Sequence, residues 1–219
     1  MSQLVPPRFL FRWSFPVRKF GNLPHPSGRL LDLPEACRVP SLGELDSTPR
    51  FAEVRMAWSE AGLGLSVEVR GRTRRVKCSA DTPASSDGLH VWFDTRNTQT
   101  VHRATRFCQQ FALLPSGGGR AGAETLARAV PLARAREESL PADASLIRVQ
   151  SEVRPEGYWL DAWLPAEILV GFDPSQHPQL GFHYVVRDGE LGEQSLAVGS
   201  EFPYAADPSL WQTIELIDG

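Results

Sequence analysis

The chain has 219 residues, of which 42% are hydrophobic and 22% charged, and its net charge is −3. That is enough length for one substantial core, and the charge gives no global attraction to nucleic acid or to an anionic membrane. Cys37, Cys78 and Cys108 are odd in number, widely spaced and without a Cys-x-x-Cys pair, which argues against a disulfide framework or a zinc site.

Residues 1–45 are rich in proline, at 6, 7, 16, 24, 26, 34 and 40, with Phe9, Phe11, Trp13 and Phe15 among them. Prolines that dense leave room for a short strand around Arg8 to Phe15 and little else. The aromatics imply an extension packed over the domain, since burying each ring is worth roughly 1.5–3 kcal/mol. Met1 to Phe20 has no uninterrupted apolar run, and no later run is long enough to span a bilayer. The chain therefore reads as cytoplasmic by default.

From Phe51 a period of two takes over. Val54, Met56 and Trp58 alternate with Arg55 and Ala57. After the turn Glu60-Ala61-Gly62, Leu63, Leu65, Val67 and Val69 alternate with small or polar residues, which predicts a hairpin. The charges of 71–75 most simply solvate the next turn. Asp87 to Asp94, Asp-Gly-Leu-His-Val-Trp-Phe-Asp, is the most informative strand. Leu89, Val91 and Phe93 mark one face, while His90, Trp92 and Asp94 occupy a second face that usually carries Thr, Lys or Glu.

Thr105 to Leu114 predicts a further strand. Residues 115–145 break the rhythm with Ser116-Gly117-Gly118-Gly119 and an Ala/Arg/Glu stretch, where 123–130 could form a short helix without an apolar stripe. This predicts a long excursion, partly mobile, of the kind that serves as a lid. Alternation returns at Ile147 to Val153 and at Tyr158 to Leu164, where Trp159, Asp161 and Trp163 point outward. Pro165 starts a short helical turn, Gly181 to Asp188 forms another strand, and Trp211 to Ile217 closes the set. The reading is all-β: an antiparallel, jelly-roll-like β-sandwich at 46–219, carrying the 1–45 extension and the 115–145 loop.

Four segments in order resemble the family-nine carbohydrate-binding modules and their DOMON-like relatives. They are 87–94, then Gly-Tyr-Trp-Leu-Asp-Ala-Trp-Leu-Pro at 157–165, then Leu-Gly-Phe-His-Tyr-Val-Val-Arg-Asp at 180–188, and finally Pro208 and Trp211 leading into Thr213-Ile214-Glu215-Leu216. The family's Glu in the second segment is Asp161 here, and its Asn after Gly-Phe is His183. The resemblance implies a jelly-roll-like sandwich and, for the true binding modules, a sugar held between tryptophans. Some DOMON relatives bind haem through Met and His. Met56, the one internal methionine, is expected to point inward, so no cofactor is expected.

If the strands at 89, 106, 159 and 183 share one sheet, alternation gathers His90, Trp92, Arg106, Gln110, Trp159, Trp163 and His183 on one outer floor, with Asp94, Asp161 and Arg187. Indole faces ringed by amides, carboxylates and guanidinium suit a pyranose, which stacks through its C–H face and hydrogen-bonds through its hydroxyls. The competing reading is that the N-terminal arm and the 115–145 excursion cover this face and make it a second core. Asp94 and Asp161 could form an acid/base pair for glycoside hydrolysis, but strand-end structural carboxylates explain them more simply.

Asp87 and Asp188 read as turn caps, with a calcium role as the alternative. His90, His102, His183 and Cys108 fit no metal-site spacing. No nucleophile elbow, phosphate loop or dinucleotide fingerprint occurs. A non-catalytic carbohydrate- or glycoconjugate-binding module, with a glycan as its expected partner and neither nucleic acid nor membrane, is the reading adopted. A structural or protein-interaction domain with that face covered is the alternative.

Overall fold

A computed structural model describes residues 12–41, 50–137 and 142–218. Its eleven strands are β1 (Ser14–Lys19), β2 (Ala52–Ser59), β3 (Gly62–Arg70), β4 (Gly88–Asp94), β5 (Cys108–Gly118), β6 (Glu124–Ala129), β7 (Arg148–Arg154), β8 (Gly157–Pro165), β9 (Gln179–Asp188), β10 (Gly192–Ser195) and β11 (Gln212–Ile217). They form one curled sheet in the order β6-β5-β4-β9-β11-β1-β2-β3-β8-β7, with β10 on β9. Its halves fold face to face. Leu89, Val91 and Phe93 of β4 meet Leu160, Ala162 and Leu164 of β8 in a single core, with Met56, Leu65, Phe111, Phe182 and Ile214. The all-β sandwich and the inward parity of the central strands match the sequence reading.

Three features depart from it. β1 runs parallel to both neighbours, β11 and β2, so the sheet is mixed rather than purely antiparallel. Phe15 and Val17 drop into the core from this strand, so the Pro-rich region supplies the link between the two halves. Phe9 and Phe11 lie outside the described residues. Secondly, 124–129 is a strand and not a helix. Ala127 faces the core while Leu126 packs outside with Ala112 and Leu114, a period of two that pairs with β5. The turn into it is taken by Gly119, at φ 67°, a left-handed conformation that glycine adopts without strain. Thirdly, β6 and β7, the two ends of the curled sheet, come back alongside each other, and Thr125 Oγ1 meets Ser151 Oγ at 2.6 Å.

Each outer face is covered by the chain itself. Leu30, Leu31, Leu33 and Cys37 of the arm pack with Ala57 and Trp163 on the β2–β3–β8 side. Val198, Tyr204 and Trp211 pack with Trp92, Cys108 and Val185 on the β5–β4–β9 side, joined by Ala104. Between strands, the Arg72 guanidinium sits between the carboxylates of Asp87 and Asp188, all three buried. Asp87 also accepts from Lys77 N and Gly189 N at 2.8 Å, and Asp188 from Glu190 N and Leu191 N at 2.9 Å. Both aspartates are turn caps, and an arginine stands where the alternative put a cation.

Candidate functional site

The expected floor is split in two. Trp92 lies opposite Gln110 on β5 and His183 on β9, so His90, Trp92, Gln110 and His183 do share a face. Trp159 and Trp163 sit on β8, whose partners are β3 and β7. Four strands separate β9 from β8 along the sheet. Because the two halves share the core between them, their outer faces point away from each other. Alternation assigns a residue to a side of its strand, but it does not say which strands are neighbours. Arg106 belongs to neither group. It is exposed on the turn before β5 and stacks on Phe107, 4.9 Å from the ring centroid.

The first group is sealed. Trp92 is 2% exposed, and His90 and His183 are fully buried. The Tyr204 ring sits 5.3 Å from Trp92 and 4.7 Å from His183, centroid to centroid. The 196–211 segment is pinned there by Trp211 Nε1, which donates to Tyr204 O at 2.8 Å. His90 Nε2 donates to Ser86 O at 2.9 Å. Burial holds this imidazole neutral, pushing its pKa down to about 4 against the pull of that hydrogen bond. Cys108, on the same face, is pushed up to about 12 by burial. His102 lies elsewhere, exposed beside Asp207 and Ser209.

On the other half, Asp161 is fully buried under the arm. Its Oδ2 accepts from Arg29 Nε at 2.9 Å and Leu31 N at 3.1 Å, and its Oδ1 from Ser66 Oγ at 2.7 Å and Arg29 Nη2 at 3.1 Å. Asp94 caps its own turn, accepting from Arg96 N and Thr98 N. These two carboxylates lie on opposite outer faces, which removes the acid/base pairing. Trp163 is 4% exposed beneath Leu31 and its neighbours.

Trp159 is different. Its indole stays half-buried. Arg29 stacks on it, Cζ 4.5 Å from the ring centroid, and Nε1 donates to Glu152 Oε2 at 2.9 Å. Glu68 faces it across β3 and Glu152 across β7, each carboxylate paired with an arginine two residues on, Arg70 and Arg154. Hydrogen bonds from Arg154 and then Trp159 hold Glu152 down to about 2, and Arg70 lowers Glu68. The result is an aromatic edge ringed by fixed donors and acceptors. Sequence parity found Trp159, but nothing in it signalled that Arg29, 130 positions upstream, would join it.

A cleft of about 680 Å³ opens near the end of β1, between Lys19, Trp58, Glu60, Phe172 and Asp218. There the Lys19 ammonium stands over the Trp58 ring at 5.0 Å and pairs with Glu60 and Asp218.

No protein-family model and no curated protein matches the chain. Among solved structures it is similar to a carbohydrate-binding module of family 9 from Caldicellulosiruptor kristjanssonii in complex with cellotriose. That match is 14% identical with a TM-score of 0.59, covering 94% of this chain and 95% of the other. A second structure of a family 9 module from the same organism, in complex with glucose, is 12% identical with a TM-score of 0.57, covering 94% and 97%. The chain has the fold of the family 9 carbohydrate-binding modules.

Proposed function

We propose that this protein is a non-catalytic carbohydrate-binding module whose sugar-contacting centre is Trp159. The observation that carries this reading is the half-buried indole set among the Glu68–Arg70 and Glu152–Arg154 pairs, on a fold shared with sugar-binding modules. A pyranose C–H face stacks on the indole beside Arg29, and its hydroxyls reach carboxylates and guanidinium already fixed in place. The sealed His90–Trp92–His183 face is a second core in this reading and takes no ligand.

A second reading, a structural or protein-interaction domain, is favoured by one observation: the chain covers Trp92 and Trp163 with its own segments. A glycan array followed by calorimetry on wild type and Trp159→Ala separates the two, with cellotriose as the first probe. Saturable heat that the variant loses supports sugar binding. Silence across all glycans overturns it in favour of the second reading.

A further inference from the structure

Residues 95–136 hold seven arginines and one acidic residue, Glu124, in a chain whose net charge is −3. The fold gathers five of those arginines at one corner. Arg96 and Arg106 both stack on Phe107, at 4.3 and 4.9 Å from the ring centroid. The segment after β6 returns across the same corner, where Arg136 N donates to Ala104 O at 2.8 Å. Arg103 Nε donates to Arg134 O at 2.9 Å. Arg103, Arg106, Arg134 and Arg136 are exposed.

What sets this corner apart is how many arginines it gathers without neutralising partners. On the strands, Arg55 pairs with Glu53, Arg70 with Glu68, Arg154 with Glu152 and Arg187 with Glu193. None of the four exposed corner arginines forms an ion pair among the described residues. Acids at its margin are Asp94, which accepts from Arg96 N, Glu137, whose backbone N also reaches Ala104 O, and Asp207, which faces His102. Arg18, Arg74, Arg75, Arg120 and Arg148 are also exposed without an ion pair among the described residues, but they are spread over β1, β7 and separate turns. Like charges held together without partners repel, and a multivalent anion relieves that repulsion. The planar fork of each guanidinium matches a carboxylate or sulfate in a bidentate geometry.

We propose that the corner formed by Arg96, Arg103, Arg106, Arg134 and Arg136 binds an acidic polysaccharide through its sugar carboxylates. The anion site stands on the charges alone. The choice of a glycan over other polyanions rests on the carbohydrate-binding reading above.

The test measures binding of polygalacturonate, cellotriose and a mixed-sequence DNA duplex to the full chain, to Arg106→Glu/Arg134→Glu and to Trp159→Ala. Polygalacturonate binding is expected to weaken at least about tenfold in the charge-reversal variant and to fall between about 20 and about 200 mM salt. Trp159→Ala should lose cellotriose, and thermal unfolding confirms that both variants fold. No polygalacturonate binding at low salt, or binding that survives the reversal, overturns the site. DNA bound as tightly as polygalacturonate overturns the glycan assignment in favour of nucleic acid. A wild type that binds polygalacturonate but no neutral glycan sinks the Trp159 reading and leaves the anion site intact.

Discussion

Arg29 grips both oxygens of Asp161, Nε to Oδ2 at 2.9 Å and Nη2 to Oδ1 at 3.1 Å, so a residue of the N-terminal arm neutralises a carboxylate buried on β8. The arginine keeps 41% of its side chain exposed while the aspartate keeps none. The same guanidinium stacks on Trp159. One side chain therefore fastens the arm, satisfies the buried charge and fixes the edge of the proposed binding surface.

Arg29→Ala is expected to destabilise the fold by about 1–3 kcal/mol, because Asp161 stays buried with its charge unmatched. Asp161→Asn in the same background should recover part of that loss. Urea unfolding of the two single variants and the double variant measures the coupling. Limited proteolysis should show earlier cleavage within 20–39 in Arg29→Ala alone.

Two of the outward tryptophans, Trp92 and Trp159, should behave in opposite ways. Trp92→Ala opens a cavity beneath Tyr204 and is expected to cost about 3–5 kcal/mol. Trp92→Phe deletes an indole Nε1 that has no hydrogen-bond partner and should cost well under half as much. Trp159→Ala should shift thermal stability far less than Trp92→Ala and act on glycan binding instead. Chemical unfolding and calorimetry on the same three variants decide this.

Arg72→Met leaves Asp87 and Asp188 buried together without their shared cation. The expected loss is about 3–5 kcal/mol, and the triple replacement of Arg72, Asp87 and Asp188 by apolar residues should be less damaging than Arg72→Met alone. Equilibrium unfolding in urea provides both values.

Acid should weaken the fold through His90. Its folded pKa, about 4, lies below the ordinary 6.5, so the unfolded chain takes up the proton first. The stability is whole above about pH 6.5 and is lost as pH falls towards 4, by about 3 kcal/mol from this residue. His90→Asn should flatten that part of the profile, as measured by urea midpoints between about pH 4 and 7.5.

Much of the fold was legible because alternation along β2, β3, β4, β8 and β9 follows from half-buried strands with one face in the core. β6 was harder. Glu124 to Ala129 is short, Ala-rich and charged, and its strand state comes from pairing with β5, a tertiary effect that local propensity cannot see. The site was legible only in part, because parity put Trp92 and Trp159 outside but could not say that their strands belong to opposite halves. The covering segments did leave a signal. Leu30, Leu31 and Leu33 among the arm's prolines, and Leu196, Val198, Phe202 and Tyr204 before the last strand, are more apolar than exposed loops need to be.

The side-by-side return of β6 and β7, joined through the Thr125 and Ser151 hydroxyls, has a consequence for self-association. A free strand edge is a template on which another polypeptide can add itself, and open sheets must disguise two of them. Here each terminal edge is masked by the other, and Arg148, Glu152 and Arg154 line one of them with charge. Among the described residues this seam offers little bare ribbon to a second copy, which disfavours fibre growth and domain exchange there.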